Sequence, residues 1–262
     1  MMDEIKGLNI LRITEEGRHE VEEVVVREFP LTIILNNQEL VTLLCSPKDL
    51  NYLAIGFLSS EGLIQHKGEI GKISLTDDES VVQVETEGAK GAATELLFRR
   101  LITSGGGRGV TSYPAYDVAS KGRVESEMRI SAGVVFALVE EFQQRSQIYK
   151  VTHGVHSAAL CDAKDILLFA EDIGRHNAID KLFGRCILED IPIGDRLVIS
   201  SGRISSEIVL KIARRDIPIV ISKAAPTDRA VDLAAHLGIT LIGFVRGRSM
   251  NVYTGGWRVI GD

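Results

Sequence analysis

AEDIGRHNAIDKLFG, residues 170–184, is the stretch whose reading decides the fold. The apolar run Ile166-Leu167-Leu168-Phe169 leads into it and is short and hydrophobic enough for a buried strand. Beyond Gly174 the period changes. Ala178, Ile179, Leu182 and Phe183 fall on one helical face, which predicts a helix ending at Gly184. The loop between strand and helix carries Glu171, Asp172, Arg175, His176 and Asn177. Loops at the carboxyl ends of strands in open α/β sheets hold ligands, and a helix N-terminus offers unpaired N–H groups to an anion. An N-cap with a few surface charges would use the same residues, so this loop alone leaves a ligand site and a plain turn both open.

Two similar units follow. Leu197-Val198-Ile199-Ser200 runs into Ser201-Gly202-Arg203 and a helix over 204–215. Ile219-Val220-Ile221-Ser222 runs into Lys223-Ala224-Ala225-Pro226-Thr227 and a helix over about 228–236. A last strand, 240–244, feeds Val245-Arg246-Gly247-Arg248-Ser249. The order βαβαβαβ with short connections predicts an α/β domain with a mostly parallel sheet and helices packed on it. If the strands run parallel, their loops converge on one edge. They then collect Arg175, His176, Arg203, Lys223, Arg246 and Arg248 on a chain whose formal net charge is −6. Each cation alone reads as a solvated surface charge. Their recurrence beside glycine and serine at equivalent places suits phosphate oxygens, which guanidinium groups and bare N–H donors match.

Upstream, residues 1–45 read as β-structure, with a hairpin of 31–35 and 40–45 around Asn36-Asn37-Gln38. Ser46-Pro47-Lys48-Asp49 predicts a helix start with Ser46 as N-cap and Asp49 as its capping acid. Leu50, Leu53, Ala54, Phe57 and Leu58 form the apolar face of that helix, and Gly62 lies beyond its end. Residues 72–75 and 81–85 alternate like strands. Four of the five residues 105–109 are glycine, which reads as a mobile loop or as backbone lying close to a ligand. Gly-Lys-Ser/Thr is missing, so it is not a Walker loop. The turn-like segment 113–122 reads as a linker, dividing the chain into a β-rich lobe at 1–115 and an α/β domain at 116–262. A helix over 131–142 buries Val134, Val135, Leu138, Val139 and Phe142.

Composition narrows the function classes. The chain has 262 residues, 45% hydrophobic and 25% charged, as in ordinary globular proteins. The acidic balance argues against nucleic-acid binding through general positive charge. Neither a secretory leader nor a membrane-length apolar run is evident, so a cytoplasmic protein without a membrane partner is expected. Cys45, Cys161 and Cys186 lack C-x-x-C spacing, which disfavours disulfides and cysteine-held zinc. His153 and His156 have no third ligand beside them, so a hydrogen-bonded structural role is expected of them.

The sequence EDIGRHNAIDKLFG closely resembles the signature of the FdhD family of formate dehydrogenase accessory sulfurtransferases. The resemblance extends to NYLAIGFLSSEGLI, GVHSAAL, SSGRISSEIV, SKAAPTDRAVDLAAHLGITLIGF and NVYT, covering most of the chain. It implies a C-terminal domain similar to cytidine deaminases, a homodimer, and binding of the molybdenum bis(molybdopterin guanine dinucleotide) cofactor. It also implies transfer of sulfur from a cysteine desulfurase to that cofactor before it enters formate dehydrogenase. The family's guanine-dinucleotide segment matches Phe244, Val245, Arg246, Gly247, Arg248 and Ser249, and the converging loops add Arg175, His176, Arg203 and Lys223.

The chain departs from the family in the glycine-rich loop. The family's persulfide cysteine, often in a C-x-x-C pair, falls on Gly106, with Gly109 where a second would stand. Glycine carries no thiolate, so Gly106 cannot perform sulfur relay. Three explanations stand. Cys161 or Cys186 could substitute, although both fall where burial is expected. The protein could bind cofactor as a carrier or chaperone without sulfur transfer. Or Gly106 is a local alteration of a standard member. Deamination is excluded on residues: Pro-Cys-x-x-Cys is absent and His176 is followed by Asn177 and Ala178, with no catalytic Glu and no zinc set.

Overall fold

The computed structural model describes residues 4–76, 79–87 and 122–261. The glycine-rich stretch with Gly106 and Gly109, most of the 113–122 linker and the boundary at 115/116 lie outside them.

In the N-terminal part, β1 (Ile5–Thr14) and β2 (Gly17–Val26) pair as a two-stranded arm. Next come β3 (Phe29–Leu35), β4 (Gln38–Cys45), α1 (Leu50–Ser60), β5 (Ile70–Leu75) and β6 (Val81–Thr86). Their four strands form a sheet in the order β4-β3-β6-β5. Asn36 and Asn37 take φ of 50° and 64°, the left-handed pair that a two-residue hairpin turn requires. Leu31, Ile33, Val82 and Val84 meet Leu53, Ile55 and Leu58 of α1 in one core.

The remainder runs β7 (Ile130–Ser131), α2 (Ala132–Arg145), α3 (Gln147–Thr152), β8 (His156–Cys161), β9 (Ile166–Asp172) and α4 (Arg175–Leu188). It continues with β10 (Leu197–Ser200), α5 (Ser206–Arg214), β11 (Ile219–Ser222), α6 (Asp228–His236), β12 (Thr240–Arg246), β13 (Ser249–Thr254) and β14 (Val259–Ile260). Six of these strands form a sheet in the order β13-β12-β11-β10-β8-β9. β10, β11 and β12 pair in parallel, while β8 is antiparallel to both β10 and β9. Strands β9, β10, β11 and β12 therefore all point one way, as the βαβαβαβ order predicts. The two reversed strands, β8 and β13, are hairpin partners inserted beside and beyond them.

Alternation along the strands builds two cores. Ala158, Leu160, Val198, Val220 and Leu241 face α4, α5 and α6. Ala159, Ile199, Ile221 and Ile242 face Val135, Leu138 and Phe142 of α2. Ser131 caps α2 through its side chain, accepting from the Val134 N–H at 3.3 Å.

Two expectations are corrected here. The signature helix does not stop at Gly184 but continues to Leu188. Gly184 is needed because α1 crosses there: an added Cβ would lie 1.8 Å from the Tyr52 carbonyl oxygen, and one on Gly56 1.7 Å from that of Asp180. Ser46 does not cap α1; Asp49 does, at φ 56° and without a side-chain hydrogen bond. Ser46 is drawn instead to the signature loop, where its backbone N–H donates to Asp172 Oδ2 and its Oγ accepts from the Ile173 N–H.

Candidate anion site at the carboxyl edge of the sheet

Strand order fixes the sequence of groups along this edge. Arg246, Lys223, Ser201, His156 and Asp172 succeed one another on or just beyond β12, β11, β10, β8 and β9. Adjacent strands lie about 4.8 Å apart. Lys223 and Arg246 are thus neighbours, and Arg246 is several strands away from the N-terminus of α4.

Ser201, Lys223, Ala224, Val245, Arg246 and Gly247 line a cleft of ≈ 480 Å³, with Gln143 of α2 closing one side. Burial and the adjacent Arg246 both lower the pKa of Lys223 from its usual value. The Arg246 guanidinium carbon sits 5.3 Å from the Phe244 ring centroid. Phe244 itself has φ 54° and is 39% exposed. An aromatic residue in the left-handed region is strained, and such strain concentrates at ligand sites.

Residues 244–249 are not an open loop after the last strand. They form the tip of a hairpin: Arg246 pairs with Ser249 across a turn of Gly247 and Arg248, with Gly247 at φ 55°. The pairing slips between Gly243 and Arg246, so Phe244 falls at an irregularity that turns its ring outward while Val245 is buried. Arg248 and Ser249 are exposed at that tip.

The five polar residues of the signature loop separate into two groups. Asp172 is wholly buried and fully engaged. Its Oδ1 accepts from the Gly174 N–H and Asn177 Nδ2, both at 2.9 Å, and its Oδ2 from the Ser46 N–H at 3.0 Å and Lys181 Nζ at 2.7 Å. Asn177 also donates to the Leu44 carbonyl at 2.9 Å. Glu171 accepts a hydrogen bond from Ser146, and its pKa is raised by burial. These three residues join strand, helix and N-terminal sheet.

Arg175 stays at the loop after β10, and His176 is buried beside Glu207 of α5. Arg175 packs against Gly202, where an added Cβ would lie 3.0 Å from its Cβ and Cδ. Burial lowers the Arg175 pKa, the neighbouring Arg203 lowers it further, and Glu207 opposes them. His176 is 2% exposed. Among the described residues neither ring nitrogen has a hydrogen-bond partner; Nε2 lies 3.4 Å from Glu207 Oε2 without hydrogen-bond alignment. Burial, then Lys211, Arg175 and His156, push its pKa down to about 2, so the ring is neutral. His156 Nδ1 lies 3.2 Å from Ser201 Oγ, which also accepts from the Ser157 N–H at 2.9 Å. His156 thus has the hydrogen-bonded place expected of it. Arg203 is exposed in the loop after β10.

Sequence reasoning missed Gln143, Ser201 and Glu207 as edge residues. Ser201 follows a strand as Lys223 does, a positional signal that was available. Gln143 arrives from the opposite face of the sheet, for which periodicity has no signal. All three cysteines are buried and free. Burial pushes the thiols of Cys45 and Cys161 up to about 12 and that of Cys186 to about 11. Among the described residues, no group of three or more His, Cys, Asp or Glu could hold a metal, and no helix is long and apolar enough to cross a membrane.

Comparison with known proteins agrees with this architecture. The sulfur carrier protein FdhD of Bacillus subtilis (strain 168) is 43% identical over 255 residues, covering 97% of each chain. That of Bacillus pumilus (strain SAFR-032) is 40% identical over the same length and coverage. The crystal structure described as a formate dehydrogenase accessory protein from Desulfotalea psychrophila superposes with a TM-score of 0.80 at 25% identity, over 98% of this chain and 99% of its own. The FdhD/NarQ family model matches residues 26–260, and with that extent of agreement the chain belongs to the FdhD/NarQ family.

Proposed function

We propose that this chain is a formate dehydrogenase accessory protein that holds the guanine-dinucleotide ends of a molybdenum cofactor at the carboxyl edge of its six-stranded sheet. The names carried by its relatives support the accessory role. The observation that carries the site is the meeting of Lys223, Arg246 and the outward Phe244 ring at one cleft. Among the described residues no carboxylate pairs with either cation. A dinucleotide fits this set: Lys223 and Arg246 would bind phosphate oxygens, and the Phe244 face suits a purine. When bound, the cofactor supplies the molybdenum centre to which sulfur is delivered.

Relatives of this chain are named sulfur carriers, and relay by a cysteine desulfurase has definite requirements. A cysteine thiolate must attack the sulfane sulfur of the desulfurase persulfide, gaining that sulfur while the desulfurase thiolate leaves. The sequence holds three cysteines, and all are buried with raised pKa, which disfavours the thiolate. That favours a cofactor carrier over a sulfur relay. The proposed partners are formate dehydrogenase, a cysteine desulfurase and a second copy of the chain.

Two measurements test the reading. Calorimetric titration with guanosine diphosphate should show binding that Arg246→Gln weakens by about tenfold, the loss of one charge-assisted contact; equal affinity in the variant removes the site. Incubation with a desulfurase and labelled cysteine, followed by non-reducing mass spectrometry, should label Gly106→Cys and not the natural chain. Label on Cys45, Cys161 or Cys186 would restore the relay.

A further inference from the structure

Strands β1 and β2 pair only with each other, so their hairpin stands outside both larger sheets. Ten residues per strand make an arm about 30 Å long. Its base is docked: Val26 lies against Gly154, where an added Cβ would come within 2.7 Å of Val26 Cγ1. Residues 11–20 toward the tip are exposed apart from Gly17. A two-stranded ribbon has no second layer in which to bury apolar side chains, and by itself it is marginal in water. This one carries Leu11 at 53% and Ile13 at 64% exposure on one pleat face near the tip. Leu8 and Val25, exposed nearer the base, lie on the other face. Two-stranded ribbons twist more than wider sheets, and such twist carries a stripe from one pleat face to the other along the arm. At the base of the arm is a cleft of ≈ 490 Å³ that shares no lining residue with the nucleotide cleft. Val25, Phe29 and Pro47 give it apolar walls, and Lys6, Arg27 and Glu28 give it charges of both signs. The tip carries charges that match them: Glu15 and Glu16 in the turn, and Arg18 opposite Ile13. Among the described residues none of these six charged side chains forms an ion pair, whereas Arg12 of the arm is paired with Glu23.

We propose that the arm is exchanged between two copies of this chain, the tip of each seating in the cleft at the base of the other's arm. Two arms laid antiparallel about a two-fold axis at their midpoints bring each tip to the other's base. The contact is then isologous and closed, the commonest arrangement of soluble oligomers. Leu11 and Ile13 meet the apolar walls of the partner's cleft, Glu15 and Glu16 meet its two cations, and Arg18 meets its carboxylate. Tip and base therefore match in both apolar surface and charge, which singles out a second copy as the occupant. The proposal gives the second copy named above its surface, and it rests on that reading only for the existence of that copy.

Analytical ultracentrifugation of the full chain over a range of concentrations should show a monomer–dimer equilibrium. Ile13→Glu changes a side chain that is already exposed in one copy, and should weaken dimerisation about thirtyfold or more, as loss of an interface anchor implies. Cross-linking locates the contact. Ile13→Cys and Val25→Cys chains are mixed and treated with a short bismaleimide, the three natural cysteines being buried. Peptide mapping should find position 13 of one chain joined to position 25 of the other. Each variant alone should cross-link poorly, because like positions lie about 24 Å apart across the axis. A dimer that Ile13→Glu leaves intact, or a cross-link from 13 to 13 in preference to 13 to 25, overturns the exchange and leaves a second copy as partner through another surface. A chain that stays monomeric at every concentration overturns both and assigns the arm to a different protein. Guanosine diphosphate should bind Ile13→Glu as tightly as the natural chain, so the nucleotide cleft stands or falls separately.

Discussion

The backbone N–H of Ser46 donates to Asp172 Oδ2 at 3.0 Å, joining the end of the N-terminal hairpin to the end of strand β9 across 126 positions of sequence. The same carboxylate holds Lys181 of α4 at 2.7 Å and the Gly174 N–H at its N-cap. One buried group therefore sets the direction in which α4 leaves the sheet, and with it the position of Arg175 and His176. It also ties the N-terminal sheet to that position.

Removing this carboxylate should be costly. Asp172→Ala would leave Lys181, 1% exposed at its side chain, as a buried charge without its counter-ion. Breaking a buried pair from one side costs about 3–5 kcal/mol. Urea denaturation should show the midpoint falling with the slope unchanged; a loss below about 1 kcal/mol, the range of a surface pair, would refute this role.

Helix α4 tolerates no side chain where it crosses α1. Gly184→Ala places a Cβ 1.8 Å from the Tyr52 carbonyl oxygen, a backbone atom that cannot swing aside. Destabilisation of about 1–3 kcal/mol or more is expected from such overpacking. Gly194→Ala, with nothing within 4 Å of the new Cβ, is the control and should leave thermal stability nearly unchanged.

Thiol chemistry should be silent in the folded protein. At pH 8 a thiol with a pKa of about 11 or 12 is almost wholly protonated, and all three are out of solvent. Iodoacetamide should modify the cysteines far more slowly in buffer than in denaturant. Rapid labelling of one native cysteine, located by peptide mapping, would identify an accessible thiol and reopen sulfur relay.

His176 makes stability depend on pH with a definite sign. Its folded pKa of about 2 lies below the ordinary value of 6.5, so the unfolded chain binds one more proton between them. Stability carried by the neutral ring is present above pH 6.5 and is lost as pH falls toward 2. The expected slope is about 1.4 kcal/mol per pH unit for one proton. His176→Gln should flatten the stability profile between pH 5 and pH 6 by nearly that amount. Parallel profiles for the two proteins would mean that His176 is protonated in the native state.

Much of the architecture was legible in sequence because it depends on local period and punctuation. Ile166–Asp172, Leu197–Ser200 and Ile219–Ser222 follow from short apolar runs, and Asp228–His236 from its place after the loop that ends the third of them. Residues 1–45 read as β-structure, but the pairing of β1 with β2 as a separate arm was not legible, because the burial pattern is largely exposed on both strands. Ser46 and Gly184 were misread for a common reason. A Ser before Pro and a Gly after an apolar stripe are helix punctuation by local rules, and here distant contacts claimed both. The hairpin at 244–249 was hidden because β13 carries little apolar alternation; it forms by pairing with β12.

What the sequence alone determined is the α/β class, the order of strand–loop–helix units, the gathering of cations after each strand, and the absence of a thiol at position 106. These rest on side-chain period and residue identity, which are local properties. Tertiary structure decided which polar residues of the signature loop remain for a ligand. Asp172 and Asn177 were consumed by the junction with Ser46 and Leu44, while His176 and the Arg175 Nε were left buried without partners. It also separated the cations into two groups, because β8 inserts between β9 and β10 and moves α4 a further strand away from Lys223. Partnership in a buried network is a matter of distance between segments far apart in the chain, and no local pattern encodes it.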